Sequence, residues 1–201
     1  MIYRHCLIIL CVLSLLSGCS LFSPVKYEPV KQYVLNTPAH PALKKSRRNV
    51  SLLVTPVQSD PIYNTTEIAY TNCPYQVAYF SVNRWATTPS QMLQPLIVQT
   101  LQNSHAFRSI NTTPVIGQYD YALNVHLLEL RQVFYNCKAS EVHLVVRAQL
   151  ISSSSNRVVA TKQFTVIEKA PQNTPYSGVV AANRAVERML NQLALFCVRS
   201  L

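Results

Sequence analysis

Residues 121–168 read YALNVHLLELRQVFYNCKASEVHLVVRAQLISSSSNRVVATKQFTVIE, and this stretch decides the fold. In its middle part Val142, Leu144 and Val146 alternate with polar residues such as His143 and Arg147. A period of two is typical of a strand with one buried face. The same period runs through residues 121–135 and 158–168, and turn-like segments at 136–140 and 152–156 separate the three runs. The sequence therefore predicts a meander of three long strands.

Two amphipathic helices are predicted, one before the meander and one after it. Thr88-Pro89-Ser90-Gln91 has the pattern of a capping box with proline in the first turn, and apolar residues follow it at helical spacing as far as Leu101. Pro95 lies inside this helix, where we expect a kink or a late start. The second helix, at about residues 177–199, has an apolar stripe formed by Val179, Ala182, Val186, Met189, Leu190, Leu193, Phe196 and Cys197.

Shorter strands are predicted in the N-terminal half, at residues 32–35 and 50–57, with a hairpin formed by 66–71 and 75–82. Its turn is Asn72-Cys73-Pro74. Strands and two amphipathic helices require layers, so the predicted fold class is α/β, a mixed and largely antiparallel sheet flanked by the two helices.

The N-terminus has the features of a secretory signal. Residues 6–16 form an apolar run of 11, preceded by Arg4, and this run is too short to span a membrane, which takes about 20 residues. Leu16-Ser17-Gly18-Cys19 is similar to a bacterial lipobox, in which acyl chains such as palmitate are attached to the cysteine. The alternative is an ordinary signal peptide with an incidental Cys19. We expect a signal peptide at 1–18, a lipidated cysteine and tether at 19–30, and one domain at 31–201.

The expected location follows from this anchor. No second apolar stretch in the sequence approaches 18 residues, so we expect attachment to a membrane and not a span across it. Lipoproteins of Gram-negative type commonly carry Asp after the lipidated cysteine when they stay in the inner membrane, and this chain has Ser20 there. By that resemblance, the outer membrane is expected, with the domain facing the periplasm.

Composition and motifs exclude several function classes. Apolar residues make up 49% and charged residues 13%, which is typical of a folded domain. With three glycines, the chain has little from which to build a phosphate-binding loop. The sequence has no paired carboxylates and no H-x-x-x-H, C-x-x-C or G-x-S-x-G motif. We therefore predict no catalytic residues, metal or cofactor. The expected compartment excludes nucleic acid, although the net charge is +10.

The histidines of the meander are predicted to be out of register for a shared metal. A hairpin centred near Lys138 would place His126 opposite about Leu150 and His143 opposite about Val133.

Beyond Cys19, the expected mature chain has Cys73, Cys137 and Cys197. Cys197 lies on the apolar helix face, where a buried, inert thiol is expected. Cys73 and Cys137 both lie at predicted turns, and they form a disulfide if those turns share an edge of the sheet. Otherwise both are unpaired.

Two further groups could contact a partner. Lys44, Lys45, Arg47 and Arg48 could hold anionic headgroups or an acidic partner, or could simply form a solvated loop. The pair Arg84-Trp85 is either an interaction site or an anchor in the core.

The whole mature chain resembles a known family. The lipobox is followed by Tyr33-Val34-Leu35, a second strand near Pro56, Ile68-x-Tyr70, and Arg84-Trp85-Ala86 before a capped helix. This pattern is similar to the auxiliary lipoproteins of ABC-type transporters, the PqiC-like family. The chain departs from it in having Asn72-Cys73-Pro74 where a glycine or polar turn is usual, and in Cys137.

The resemblance implies a fold somewhat like the N-terminal domain of TolB. It further implies a non-enzymatic outer-membrane partner for a periplasmic MCE-type protein in lipid transport between the two membranes. Self-association into a ring would suit a tunnel-shaped partner. Two alternatives are an assembly lipoprotein that escorts or plugs an outer-membrane protein, as in lipopolysaccharide assembly, and a lipid carrier with an internal pocket.

Overall fold

The computed structural model describes residues 3, 28–39, 41, 48–114, 119–136 and 138–201. Within these residues it has nine strands and two long helices. In chain order they are β1 Lys31–Tyr33, β2 Ser51–Val54, β3 Gln58–Ser59, β4 Glu67–Thr71, β5 Ala78–Trp85, α1 Pro89–Asn103, β6 Ser109–Asn111, β7 Tyr121–Val133, β8 Glu141–Ser152, β9 Val158–Lys169 and α2 Pro175–Ser200. A short 3-10 helix, Pro61–Tyr63, lies between β3 and β4.

The predicted meander is present as β7, β8 and β9, which pair antiparallel along nearly their whole length. Its register differs from the expected one, because His126 pairs with Arg147 and His143 with Arg131. The pairing of Val133 with Glu141 centres the turn one residue earlier than Lys138, and an irregularity at Leu127/Glu129 shifts the pairing further.

β7 is the central strand of a mixed sheet. One of its sides pairs with β8, and the other pairs in succession with β2, β3 and β4, all parallel to it. β4 also forms the predicted antiparallel hairpin with β5. Two short parallel strands complete the sheet, β1 beside β5 and β6 beside β2. The α/β fold with a mixed sheet and two helices is therefore confirmed.

The hydrophobic core lies between the sheet and the two helices, which contact each other. The alternate residues of β8 that were predicted to be buried are buried, with Leu144, Val146 and Leu150 at 0% exposure. The stripe of α2 packs against β8 and β9, with Met189 and Leu190 also at 0%. Burying each such side chain stabilises the fold by about 1.5–3 kcal/mol.

The two helix starts differ from their sequence patterns. α1 begins at Pro89 as predicted, but the Thr88 side chain makes no capping bond, and Gln91 contacts Thr87 instead. The helix continues through Pro95, so there is no late start; Pro95 is exposed on its outer face. At α2, by contrast, the Oγ1 of Thr174 accepts the backbone N–H of Ser177 at 3.2 Å. The side-chain capping bond predicted at the start of α1 is therefore absent, and such a bond is present at the start of α2.

Candidate functional site: the two ends and the open face of the sheet

The strand directions give the domain two distinct ends. We define the turn end by the β4–β5 turn (72–77), the β7–β8 turn (134–140) and the β9–α2 connection (170–174). At this end β4 and β7 finish side by side, because Thr71 pairs with Val133 and the Phe134 N–H donates to the Thr71 carbonyl at 2.8 Å. The opposite end carries the β8–β9 turn (153–157) and the last turn of α2.

The part of the chain that leads into β1 comes from the turn end of the domain. The lipobox and Cys19 lie outside the described residues, and Glu28 to Val30 lead, exposed, into β1. β1 is parallel to β5 and pairs with its last three residues, Asn83 to Trp85. Because β5 starts at the turn end, the parallel direction of β1 means that the chain enters β1 from the turn-end side. In the part of the chain that the structure describes, no helix is long and apolar enough to cross a membrane.

A cleft of about 320 Å³ lies between the two turns of this end. Its walls include Cys73 and Tyr75 from the first turn, Asn136 from the second, and Arg131. Cys73 is exposed. Cys137 lies outside the described residues, so the Cys73–Cys137 disulfide stays a prediction; the side-by-side turns satisfy its condition of a shared edge.

A cluster of charged side chains lies on the open face of the sheet, the face that the helices do not cover. Arg131 Nε donates to Glu129 Oε1 at 2.8 Å, and His143 Nδ1 lies 3.7 Å from the same oxygen. His143 Nε2 is 3.9 Å from Glu141 Oε2, to which the Tyr135 hydroxyl donates at 3.4 Å. Burial and the neighbouring Glu141 raise the pKa of Tyr135. Each charge has a partner inside the cluster, so these groups position one another.

The pair Arg84-Trp85 separates into two environments. Trp85 is 3% exposed and belongs to the hydrophobic core, where it lines a small cavity together with Ile68 of β4 and Ala182 of α2. Arg84 is exposed on the neighbouring position of β5. The structure therefore places Trp85 as a core anchor and leaves Arg84 available for contact.

Of the predicted basic cluster, only Arg48 is described, while Lys44, Lys45 and Arg47 lie outside the described residues. Arg48 lies at the opposite end, where its side chain donates to the Val198 carbonyl of α2 at 3.2 Å. A cation bonded to a C-terminal carbonyl favourably opposes the helix dipole. Arg48 therefore has a structural role.

β9 is an edge strand of 12 residues, and within the described residues it pairs with β8 alone. Most of its side chains are exposed, including the apolar Val158, Val159 and Ile167. Its inner residues Phe164 and Val166 pack in the core, so the strand is firmly held while its outer backbone groups are free to bond. No group of metal-ligating side chains occurs in the described ranges.

The family follows from a comparison of the sequence. A family model described as the ABC-type transport auxiliary lipoprotein component matches residues 33–194. The chain belongs to this family. The match begins at Tyr33, the last residue of β1, and ends six residues before the end of α2, so β2 to β9 and α1 of the auxiliary lipoprotein lie wholly within it. The family assignment expected from the lipobox and the Arg84-Trp85-Ala86 segment is confirmed.

Solved structures show the same fold. The auxiliary lipoprotein is similar to protein XCC0632 from Xanthomonas campestris, with a TM-score of 0.78 and 19% identity over 85% of this chain and 96% of that one. A second structure, described as an uncharacterized protein, has a TM-score of 0.62 and 16% identity over 86% and 98% of the two chains. No curated protein matches the sequence.

Sequence reasoning missed the charged cluster of the auxiliary lipoprotein. Glu129 and Arg131 share one face of β7, and Glu141 and His143 share one face of β8, so each pair was visible as an alternation. The two pairs of residues come together only in the observed register of β7 and β8. The expected register differed from it by about two residues.

Proposed function

We propose that this chain is a non-enzymatic lipoprotein, anchored by acyl chains on Cys19 to the periplasmic side of the outer membrane. In this role it serves an ABC-type transport system as the auxiliary component that contacts a periplasmic MCE-domain protein in lipid transport between the two membranes. The observation that carries the proposal is the family match over residues 33–194. Each buried acyl methylene contributes about 0.8 kcal/mol, so two or three chains hold a protein on a membrane for long periods.

The site chemistry supports a binding role. Among the described residues, the cluster that combines histidine, tyrosine and carboxylates is paired internally, as described above. What the described domain offers to other molecules is surface: the open face and the free edge of β9. An extended segment of a partner can add to such an edge through backbone hydrogen bonds, with side chains giving the specificity.

The basic cluster fits the same arrangement. Arg48 lies at the end of the domain opposite the side from which the chain arrives. Lys44, Lys45 and Arg47 are close to it in sequence, and we propose that this basic cluster binds an acidic surface of the transporter component.

The test is site-specific photocrosslinking in intact Gram-negative cells that express the full chain. A photoreactive residue replaces Thr161 on the exposed part of β9, and a matched control replaces Gln192 on the exposed face of α2. Both are made with and without Cys19→Ala, and the captured proteins are identified by mass spectrometry. Capture of an MCE-domain protein at position 161, absent at 192 and lost with Cys19→Ala, is the expected result.

Two other outcomes would contradict the proposed function. Capture of an outer-membrane barrel protein at position 161 would replace the transport role with the assembly role. Capture that is unaffected by Cys19→Ala would remove the anchor from the mechanism.

A further inference from the structure

We propose that the turn end of the domain rests directly on an anionic phospholipid surface, with Tyr75, Tyr135 and Tyr176 in the headgroup region and Lys138 and Lys169 against lipid phosphates. This orientation rests on the proposed anchor at Cys19. It adds a second, protein-mediated contact with the membrane, which fixes how the domain stands on it.

The exposed aromatic side chains are the first observation. In the described part of residues 28–201 they are Tyr75, Tyr79, Tyr135 and Tyr176. Tyr75 and Tyr135 lie in the two turns and Tyr176 in the first turn of α2, whereas Tyr79 is the second residue of β5 and its hydroxyl donates to the Ile62 carbonyl at 3.0 Å. Tyr75 is the most exposed, at 108% of its reference area, and Tyr176 follows at 62%. Tyrosine has an apolar ring and a polar hydroxyl, and it is enriched at the level of lipid headgroups.

Tyr75 and Tyr176 are the two rings that the local structure leaves most exposed. Tyr75 has a φ of 64°, a conformation that non-glycine residues rarely adopt, within the tight β4–β5 turn. Tyr176 lies in the first turn of α2, and its ring is 6.1 Å from that of Tyr33. The elements that carry them are anchored in the sheet and the core, so the rings are presented on a rigid base.

The charges at this end are the second observation. A cleft of about 530 Å³ opens between the β7–β8 turn and the end of β9, and its walls include Tyr135, Lys138, Glu141 and Lys169. Within the described residues neither lysine forms an ion pair, whereas Glu141 is engaged by Tyr135 and His143. The two lysines are therefore free to bind lipid phosphates. Each basic residue near an anionic membrane contributes about 1 kcal/mol to the free energy of membrane binding.

The length of the tether is the third observation. Eight residues lie between Cys19 and Glu28, and the nine steps from one Cα to the next reach about 30 Å when the chain is fully extended. The 13 residues of β7 cover about 43 Å from one end of the domain to the other. Because the chain arrives from the turn end, that end lies within easy reach of the anchored lipid. The opposite end would reach the membrane only with the tether stretched along the domain.

The experiment uses the full-length lipidated protein in vesicles of phosphatidylethanolamine and phosphatidylglycerol that contain a lipid with a nitroxide quencher in its headgroup. In a Cys137→Ser variant, an environment-sensitive fluorophore is attached to exposed Cys73, since Cys197 is buried and unreactive. The matched control carries Ser155→Cys in the β8–β9 turn, with Cys73→Ser and Cys137→Ser. Flotation of the vesicles reports the lipid anchor for every sample.

We expect several-fold stronger quenching at position 73 than at position 155. The combined variant Tyr75→Ser, Lys138→Gln, Lys169→Gln should reduce the quenching at position 73 while the protein still floats. Lys162→Gln, an exposed lysine nearer the middle of β9, should leave it unchanged. Replacing the lipids with phosphatidylcholine should weaken it.

Two negative results would contradict the proposals in different ways. Protein that floats but shows equal quenching at the two positions overturns this orientation and leaves the proposed function intact. Protein that does not float overturns the anchor on which both proposals depend.

Discussion

Gln132 of β7 and Gly178 of α2 fit together so closely that a Cβ on the glycine would lie 2.6 Å from the Gln132 side-chain amide carbon. Gln132 is 2% exposed, and its Nε2 donates to Ser140 Oγ at 2.9 Å and to the Thr174 carbonyl at 3.1 Å. The glutamine thereby ties the β7–β8 turn to the start of α2. The absence of a side chain at position 178 is what lets the helix come this close.

Gly178→Ala should therefore destabilise the protein by about 1–3 kcal/mol, because the buried, bonded amide cannot move aside freely. In an open helix the same change stabilises by about 1 kcal/mol. The measurement is chemical denaturation, with Gln192→Ala on the exposed face of α2 as the control. In the double variant Gly178→Ala, Gln132→Ala, the loss in the free energy of unfolding should be smaller than the sum of the losses in the two single variants. A Gly178→Ala protein more stable than the parent would contradict the close fit.

The two helix caps give a second prediction. Thr174→Ala should lower the free energy of unfolding by about 1 kcal/mol, because its side chain accepts the Ser177 N–H. Thr88→Ala should change it by less, since the Thr88 side chain makes no such bond. Thermal unfolding of the two variants compares them directly. Equal losses would mean that both threonines cap their helices.

Trp85 and Arg84 form a matched pair of adjacent positions. Trp85→Ala should cost about 3–5 kcal/mol through the cavity it leaves in the core. Arg84→Ala should change stability by less than about 0.5 kcal/mol, since the side chain is exposed. Denaturation curves test both. A large loss with Arg84→Ala would show that this residue also supports the fold.

The cysteines should separate into two classes. Cys73 is a free cysteine among the described residues, and peptide mass mapping of the non-reduced protein decides whether it is linked to Cys137 or unpaired. Detection of both residues as free thiols in freshly isolated periplasmic protein would exclude this disulfide.

Cys197 should be inert in the native protein. Burial raises the pKa of its thiol to about 12, against about 8.5 for an ordinary cysteine. Iodoacetamide at pH 8 should modify it only after unfolding. Because the folded thiol holds its proton more tightly than the unfolded one, this group's contribution to stability is complete below about pH 8.5 and is lost as the pH rises towards 12. Rapid alkylation under native conditions would contradict this burial.

Periodicity predicted the elements that have a strong repeat. The meander and α2 follow from alternation and from the helical stripe, since each buries one face against the same core. β3 and β6 could not be predicted, because strands of two or three residues carry no period. The parallel pairing of β2, β3 and β4 with β7 depends on contacts between segments far apart in sequence.

The candidate site was predictable in part. The sequence indicated Cys73 and the basic cluster, but the gathering of tyrosines at one end required the strand directions. The placement of Trp85 in the core could not be decided from its neighbours, because a tryptophan beside an arginine is compatible with both a buried and an exposed position. The cap of α2 was missed since Thr174 lacks the glutamine that drew attention to Thr88.

The central position of β7 also sets an order of assembly. β2 and β3 precede β7 in the chain and have no earlier strand to pair with, and a chain is made from its N-terminus. Until residues 121–133 are available, the apolar segment Leu52–Val54 can pair only with β6, on one of its two sides. The first half of the protein is thus the part that chaperones would need to shield, and β7 is the element whose arrival ends that exposure.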